Sequence, residues 1–230
     1  GTLVAERGDI LPQAFAPASD SAPTIGGSVK IARNSLDLRV RAAGEQMRVI
    51  GSLEGQLLTE ERILQPLVKD GWVVADHQRD ILKIAVIERH KASGSVGIGF
   101  IQGFGLKQGA IAGTVAHDHH NLVVIGVDDE SMQTAVDSIV EMQGGLAVTH
   151  GTTVLAKLAL PVAGLMSDLP VAQVRQRYAQ VVQSSKTLGA LFHDPFMAMS
   201  FMALEVIPKL KITDKGLIDV TTFSQTELFV

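Results

Sequence analysis

The chain has 230 residues, with 20 basic and 24 acidic side chains and a formal charge of −4. It contains no cysteine, which excludes a disulfide framework, a thiolate metal site, a cysteine nucleophile and an iron–sulfur cluster. A pI of about 6.0 lacks the clustered positive charge of a nucleic-acid footprint, so no nucleic-acid partner is expected. The length suits one ordinary domain with a small appendage, able to bury roughly 70% of its unfolded surface. Charged residues are 19% of the chain, against about 25% in typical domains. That shortfall predicts either surface meant for burial against another domain or subunit, or a compact and well-covered core.

The chain opens Gly1-Thr2-Leu3-Val4-Ala5-Glu6-Arg7, without Met and without a basic-then-apolar leader. No signal peptide is expected, residues are expected to precede Gly1, and the expected compartment is the cytoplasm. Thr2–Ala5 and Ile10–Phe15 read as short strands around a turn at Arg7-Gly8-Asp9, too little to fold alone. Residues 16 to 23 are small, polar and bounded by proline, the composition of a linker. The main domain is therefore placed from residue 25 to 230, with residues 1–24 as a tail and linker.

Leu36–Val40 and Met47–Ser52 are strand-like. Glu60–Asp70 reads as a short helix, with Thr59 as N-cap and Gly71 as stop. Val73–Ala75 and Ile81–Arg89 read as strands. Ser95–Phe104 carries Gly97, Gly99 and Gly103, and strand glycines mark bulges or close backbone approach. Ile111–Ala116 and Leu122–Val127 are near-continuous apolar runs, predicting strands covered on both faces. A helix from Asp128 or Asp129 to about Gln143 follows, with acids in its first turn and Gly144-Gly145 behind it. Leu146–Thr149 and Val154–Leu158 form a strand pair. Ser167 or Asp168 is expected to cap a helix over Pro170–Leu188, and Asp194-Pro195 opens another to about Leu204. The end, Ile207–Val230, holds a turn at Asp214-Lys215-Gly216 between short strands. The expected class is α/β, with α+β as the alternative: a mixed, largely apolar β-sheet with flanking helices. The longest apolar stretch, Val154–Met166, is broken by Lys157 and Pro161, short of the roughly 18–20 residues that a membrane span needs, so no membrane partner is expected.

His117-Asp118-His119-His120-Asn121 is the most unusual stretch: five polar residues between two apolar strands. Burying them mid-strand would leave many donors and acceptors to satisfy, so they belong at a strand end or tight loop. Three readings stand beside one another. The imidazoles could ligate a metal, could contact a substrate or line an active-site wall, or could satisfy neighbouring backbone. Glu88-Arg89-His90 ends a strand. It reads either as a charged strand end in solvent or, through Glu88 and His90 on one face, as a second polar group near the histidines. Gly103-Phe104-Gly105-Leu106-Lys107 could cradle an anion with its amides, or simply turn tightly. Ser167-Asp168 and His193-Asp194 read most simply as helix caps. Nucleophile-elbow, Walker, His-Glu-x-x-His and Rossmann glycine motifs are absent.

Six segments in order then carry a resemblance. They are Ile87–His90, Gly103–Ala112, Thr114–Asn121, Glu141–Leu146, Leu160–Asp168 and Pro208–Leu217. Together they resemble the C-terminal region of amidohydrolase-type adenine deaminases, hydrolases of adenine catabolism and purine salvage. The resemblance implies a parent enzyme that converts adenine and water to hypoxanthine and ammonia. Its catalytic (β/α)₈ barrel, outside this chain, would hold a divalent metal pair, manganese or iron, with none bound here. Residues 1–24 would be the tail of the small β-domain beside that barrel. The resemblance implies His117, Asp118, His120 and Asn121 as substrate-binding or active-site-wall groups, with Glu88 and His90 behind them. His119 stands where the family pattern reads Ser, so its role carries over less directly. Expected partners are adenine, the barrel of the same protein, and further copies in a homo-oligomer. The alternative is a non-catalytic module for docking and assembly.

Overall fold

In the computed structural model, residues 1–15, 26–32 and 36–230 are described. The linker expected at 16–23 and the boundary near residue 25 lie outside the described residues. The elements in order are β1 (Ala5–Glu6), β2 (Asp9–Ile10), a 3-10 turn (Pro12–Phe15), β3 (Val40–Arg41), β4 (Met47–Ser52), β5 (Thr59–Leu64), β6 (Leu67–Lys69), β7 (Trp72–Val74), β8 (Ile81–Ile87), β9 (Val96–Gln102), β10 (Ala110–Gly113) and β11 (Leu122–Gly126). Then come α1 (Asp129–Glu141), β12 (Gly145–His150), β13 (Thr153–Ala159), α2 (Val171–Thr187), α3 (Pro195–Met202), β14 (Leu210–Thr213), β15 (Gly216–Asp219) and β16 (Ser224–Thr226).

The centre is an eight-stranded mixed sheet in the order β13-β12-β10-β11-β8-β9-β4-β5. Its pairs are antiparallel except β4 with β9. Every residue of β8, β10 and β11 is buried, as strands covered on both faces require. Alternation sorts them. Ile84, Val86, Ile111, Val123 and Ile125 meet α2, α3 and the β14–β15 hairpin on one face. Ala85, Ile87, Ala112, Leu122 and Val124 meet Met132, Val136 and Ile139 of α1 on the other. The result is an α/β class with helices on both faces of a large apolar sheet. Among the described residues, no helix is long and apolar enough to cross a membrane.

Local chemistry explains the helix starts. Asp128 caps α1 by accepting the Ser131 N–H at 2.7 Å, and Asp194 caps α3 by accepting that of Met197 at 2.9 Å. The expected cap of α2 is corrected. Its N-cap is Pro170, with no side-chain hydrogen bond, and Ser167 accepts only the Leu169 N–H just before the helix. The helix expected over Glu60–Asp70 is also corrected, to strands β5 and β6. Pro66 lies between them, and an interior proline costs a helix roughly 3 kcal/mol. Thr59 is no cap: it pairs with Ser52, and its hydroxyl donates to the Leu210 carbonyl at 2.8 Å. Near the start, the strand expected over Ile10–Phe15 stops at Ile10, because Pro12 opens the 3-10 turn.

Gly97 and Gly99 mark the close approach predicted for them. A Cβ on Gly97 would lie 2.0 Å from the Thr213 carbonyl oxygen. One on Gly99 would touch the Leu217 and Ile212 side chains at 3.1 and 3.2 Å. These two glycines let the β14–β15 hairpin lie directly on β9. Gly103 and Gly105 do cradle an anion, and it is internal. Their N–H groups donate to the Asp80 carboxylate at 3.0 and 2.7 Å, so the segment is a tight turn closed by its own chain.

Candidate functional site: the histidine turn

β10 and β11 are adjacent antiparallel strands, and the chain between them is residues 114–121. The histidine cluster therefore sits at a sheet end, where its polar groups avoid a mid-strand burial. Thr114 fixes the exit from β10. Its hydroxyl accepts the Gly145 N–H at 2.9 Å and donates to the Gly164 carbonyl at 2.5 Å. Residues 117–119 turn, and His120 closes the turn in the left-handed region, φ 49°. The His120 N–H donates to the Ala116 carbonyl at 2.7 Å.

The five polar side chains divide into inward and outward groups. Asn121 is buried. Its Oδ1 accepts the Arg89 N–H at 3.4 Å and its Nδ2 donates to Asp214 at 3.3 Å, so this side chain is committed to the turn. His119 Nδ1 accepts the Asn121 N–H at 3.1 Å, and His120 Nδ1 accepts the Ala116 N–H at 3.3 Å. In each ring the second nitrogen, Nε2, then carries the proton. Burial pushes the pKa of both below the usual imidazole value. Glu205 and Asp214 pull His119 back upward, while the charges of His117 and Arg89 push His120 further down. His117 packs its ring against Phe201 of α3, with centroids 5.1 Å apart, and meets His120 edge-on at 5.8 Å. Asp118 is exposed at the tip.

β8 pairs with β11, so residues 88–90 emerge at the same sheet end. His90 reaches the cluster: its Nε2 lies 2.9 Å from the His119 carbonyl. Glu88 turns the other way. Its carboxylate accepts the N–H groups of His90, Lys91 and Ser93 and the Ser93 hydroxyl. Burial alone would raise its pKa, but those donors hold it at about 2.

Sequence reasoning missed three supporting residues. Arg89 is 1% exposed, and its guanidinium donates to the carbonyls of His120 at 2.5 Å, Ser28 at 3.0 Å and Ala163 at 3.1 Å. Arg89 therefore does not sit in solvent, whereas His90 beside it is exposed. The available signal was a cation directly after an apolar strand, but nothing in the sequence marks three distant carbonyls as its acceptors. Phe201 and Lys211 back the turn. Lys211 is fully buried and donates to the Phe201 and Leu57 carbonyls at 3.0 and 2.9 Å, and burial pushes its pKa down to about 8.

The arrangement presents hydrogen-bond donors and one exposed carboxylate on a braced turn. It does not suit metal ligation. The Nδ1 atoms of His119 and His120 are occupied by backbone N–H groups. Among the described residues, no group of three or more His, Asp or Glu side chains is placed to hold an ion.

Residues 56–224 match the family model described as the adenine deaminase C-terminal domain. The chain is 45% identical over 229 residues to an adenine deaminase of Desulfatibacillum aliphaticivorans, covering all of this chain and 40% of that protein. It is 49% identical over 192 residues to an adenine deaminase of Methanothrix thermoacetophila, covering 84% of this chain and 34% of the relative. It is 42% identical over 226 residues to adenine deaminase 2 of Carboxydothermus hydrogenoformans, covering 97% and 39%. The chain thus spans two fifths or less of the length of these curated relatives.

Proposed function

The chain belongs to the adenine deaminase C-terminal domain family, and from that premise we propose that it is the C-terminal part of an adenine deaminase whose histidine turn borders the active site. The proposed reaction converts adenine and water to hypoxanthine and ammonia. Residues 25–230 form the domain, and residues 1–24 are the tail of a neighbouring β-domain. The observation that carries the role of the turn is its division of labour. Asn121, Arg89 and the Nδ1 atoms of His119 and His120 brace it from behind. His117, Asp118 and the Nε2–H of His120 are left to meet whatever lies in front. An imidazole N–H and a carboxylate can orient a purine through its ring nitrogens and amino group. His90 supports the turn through His119.

The divalent metal pair that adenine deamination implies would supply an activated water for attack on the amino-bearing carbon. The donor set in this chain does not fit that pair, so it is assigned to the part of a longer polypeptide outside these residues, and no step runs through it here.

A second reading is favoured by one surface. Val171 is 83% exposed and Met197 46% exposed, beside an apolar cavity of about 210 Å³ between α2, α3 and the sheet. In that reading the domain serves assembly or docking, within the cell's cytoplasm and in a homo-oligomer, without touching adenine. His117→Ala and Asp118→Ala in the longer deaminase separate the two. Loss of turnover by at least about tenfold with unchanged assembly supports the active-site role. Unchanged turnover overturns it and leaves the docking reading.

A further inference from the structure

We propose that Arg89 is a positioning residue, which holds the backbone of the histidine turn in its strained conformation and thereby fixes the tautomer of His120. This goes beyond the roles assigned above and rests on the turn being the functional site.

The case begins with an unusual burial. Arg89 is a cation 1% exposed, and it forms no ion pair among the described residues. Such a charge is costly to bury, and an interior arginine is ordinarily met by a carboxylate. Here its three side-chain bonds go to carbonyls from three separate segments: residue 28, the histidine turn and the turn at 161–166. Two of the acceptors are special. His120 has φ 49° and Ala163 has φ 59°, left-handed conformations that non-glycine residues disfavour by about 1 kcal/mol or more each. Both direct their carbonyls at the guanidinium. The planar fork suits divergent acceptors in a way that a single ammonium does not.

Crowding shows how closely the surroundings fit that fork. A Cβ on Gly164 would lie 2.7 to 2.9 Å from Nη1, Cζ and Nη2 of Arg89. The backbone carries the arrangement further. The Arg89 N–H donates to Asn121, and the Arg89 carbonyl accepts the Lys30 N–H at 2.8 Å. Holding His120 left-handed keeps its ring folded back on Ala116, so that Nδ1 accepts the Ala116 N–H and Nε2 bears the proton. Without the guanidinium, His120 relaxes toward ordinary backbone, the Nδ1 bond opens, and either nitrogen can carry the proton.

The test uses the 230-residue chain with Arg89→Met and Arg89→Lys, and reads the His120 ring-nitrogen shifts and backbone amide exchange by NMR. The expected result in the parent chain is the single Nε2–H tautomer. In Arg89→Met, with the melting curve still cooperative and the pH held well above the imidazole range so that the ring stays neutral, the separation between the two nitrogen shifts shrinks and His120 amide exchange speeds up by about tenfold or more. Should the Met variant fail to fold, Arg89→Lys decides, because an ammonium keeps the charge but cannot serve three divergent carbonyls. An unchanged His120 ring and amide in a folded variant overturns the proposal. The same variants in the longer deaminase keep the two readings apart. A shifted ring with unchanged turnover overturns the active-site role while Arg89 keeps its own. An unmoved ring, with turnover lost in His117→Ala, overturns only the role of Arg89.

Discussion

Replacing Gly97 by Ala should separate the β14–β15 hairpin from the central sheet. The added Cβ would lie 2.0 Å from the Thr213 carbonyl oxygen and 2.7 Å from the Gly216 nitrogen, and both are backbone atoms that cannot rotate away. Ordinary contact begins near 3.4 Å, so the hairpin must retreat by more than about 1 Å. Leu210, Ile212 and Leu217 lie in the core through that hairpin. Each is worth roughly 2 kcal/mol when buried. A gap of this size forfeits about a quarter to a half of such contacts, or about 1.5–3 kcal/mol for the three. Residual crowding brings the expected cost to about 3–4 kcal/mol. Gly99→Ala is the internal control. It lies on the same face of β9 and meets only the ends of Leu217 and Ile212, at 3.1 and 3.2 Å. Those flexible ends can move by a few tenths of an ångström, so the expected cost is below about 1 kcal/mol. Urea unfolding of both variants measures the difference. Equal costs, or a Gly97→Ala cost under about 1 kcal/mol, would show that the hairpin is not pinned by backbone approach.

Two further expectations concern the ends of the sheet. Thr114→Val keeps the shape of the side chain but deprives the Gly164 carbonyl and the Gly145 N–H of a buried partner. It should cost about 2–3 kcal/mol in urea unfolding, with Thr114→Ser recovering most of it. A Val variant within about 0.5 kcal/mol of the parent would refute the hydroxyl's role. Glu88 is held at about 2, below its ordinary carboxylate value of 4.5. A lowered folded pKa gives stability that is present above the unfolded pKa and lost as pH falls through the folded one. The parent chain should therefore lose more stability than Glu88→Gln as pH drops from about 5 toward 2, by about 1–2 kcal/mol after allowance for solvent screening. Parallel pH profiles of the urea midpoint would contradict this.

What could be read before the structure was whatever rests on neighbours in sequence. Asp128 and Asp194 announce helices because a cap and the N–H that donates to it lie three residues apart. The glycines of β9 announce a bulge or a close approach, and the structure shows the second. The histidine turn announces a sheet end because five polar residues cannot be satisfied mid-strand. Failures came where the deciding partner is remote. Thr59 to Leu64 carries charges at spacings that a helix tolerates, yet it is a strand because β4 offers it a ladder. Pro66 was the local warning. Arg89 looked like a solvated strand end because its acceptors lie 31, 61 and 74 residues away.

Remote partners also hold several of the chain's cations. Several of its few cations are not surface groups at all. Lys83 is buried against the Leu38 carbonyl and Asp129, Lys211 against two carbonyls, and Arg89 against three. Each crosslinks segments far apart in sequence, so each is spent on fixing loop geometry. Removing them from the outside deepens the deficit of surface charge that composition alone suggests. On α2, Val171 is exposed near the cavity that the helix forms with α3, while Gln176, Gln180 and Gln183 line a separate groove against Leu155 and Ala156 of β13. A well-covered core and a surface suited to burial are therefore not competing readings of one composition. The first rests on the two apolar layers that cover the sheet, and the second is the proposed docking role of the α2–α3 face.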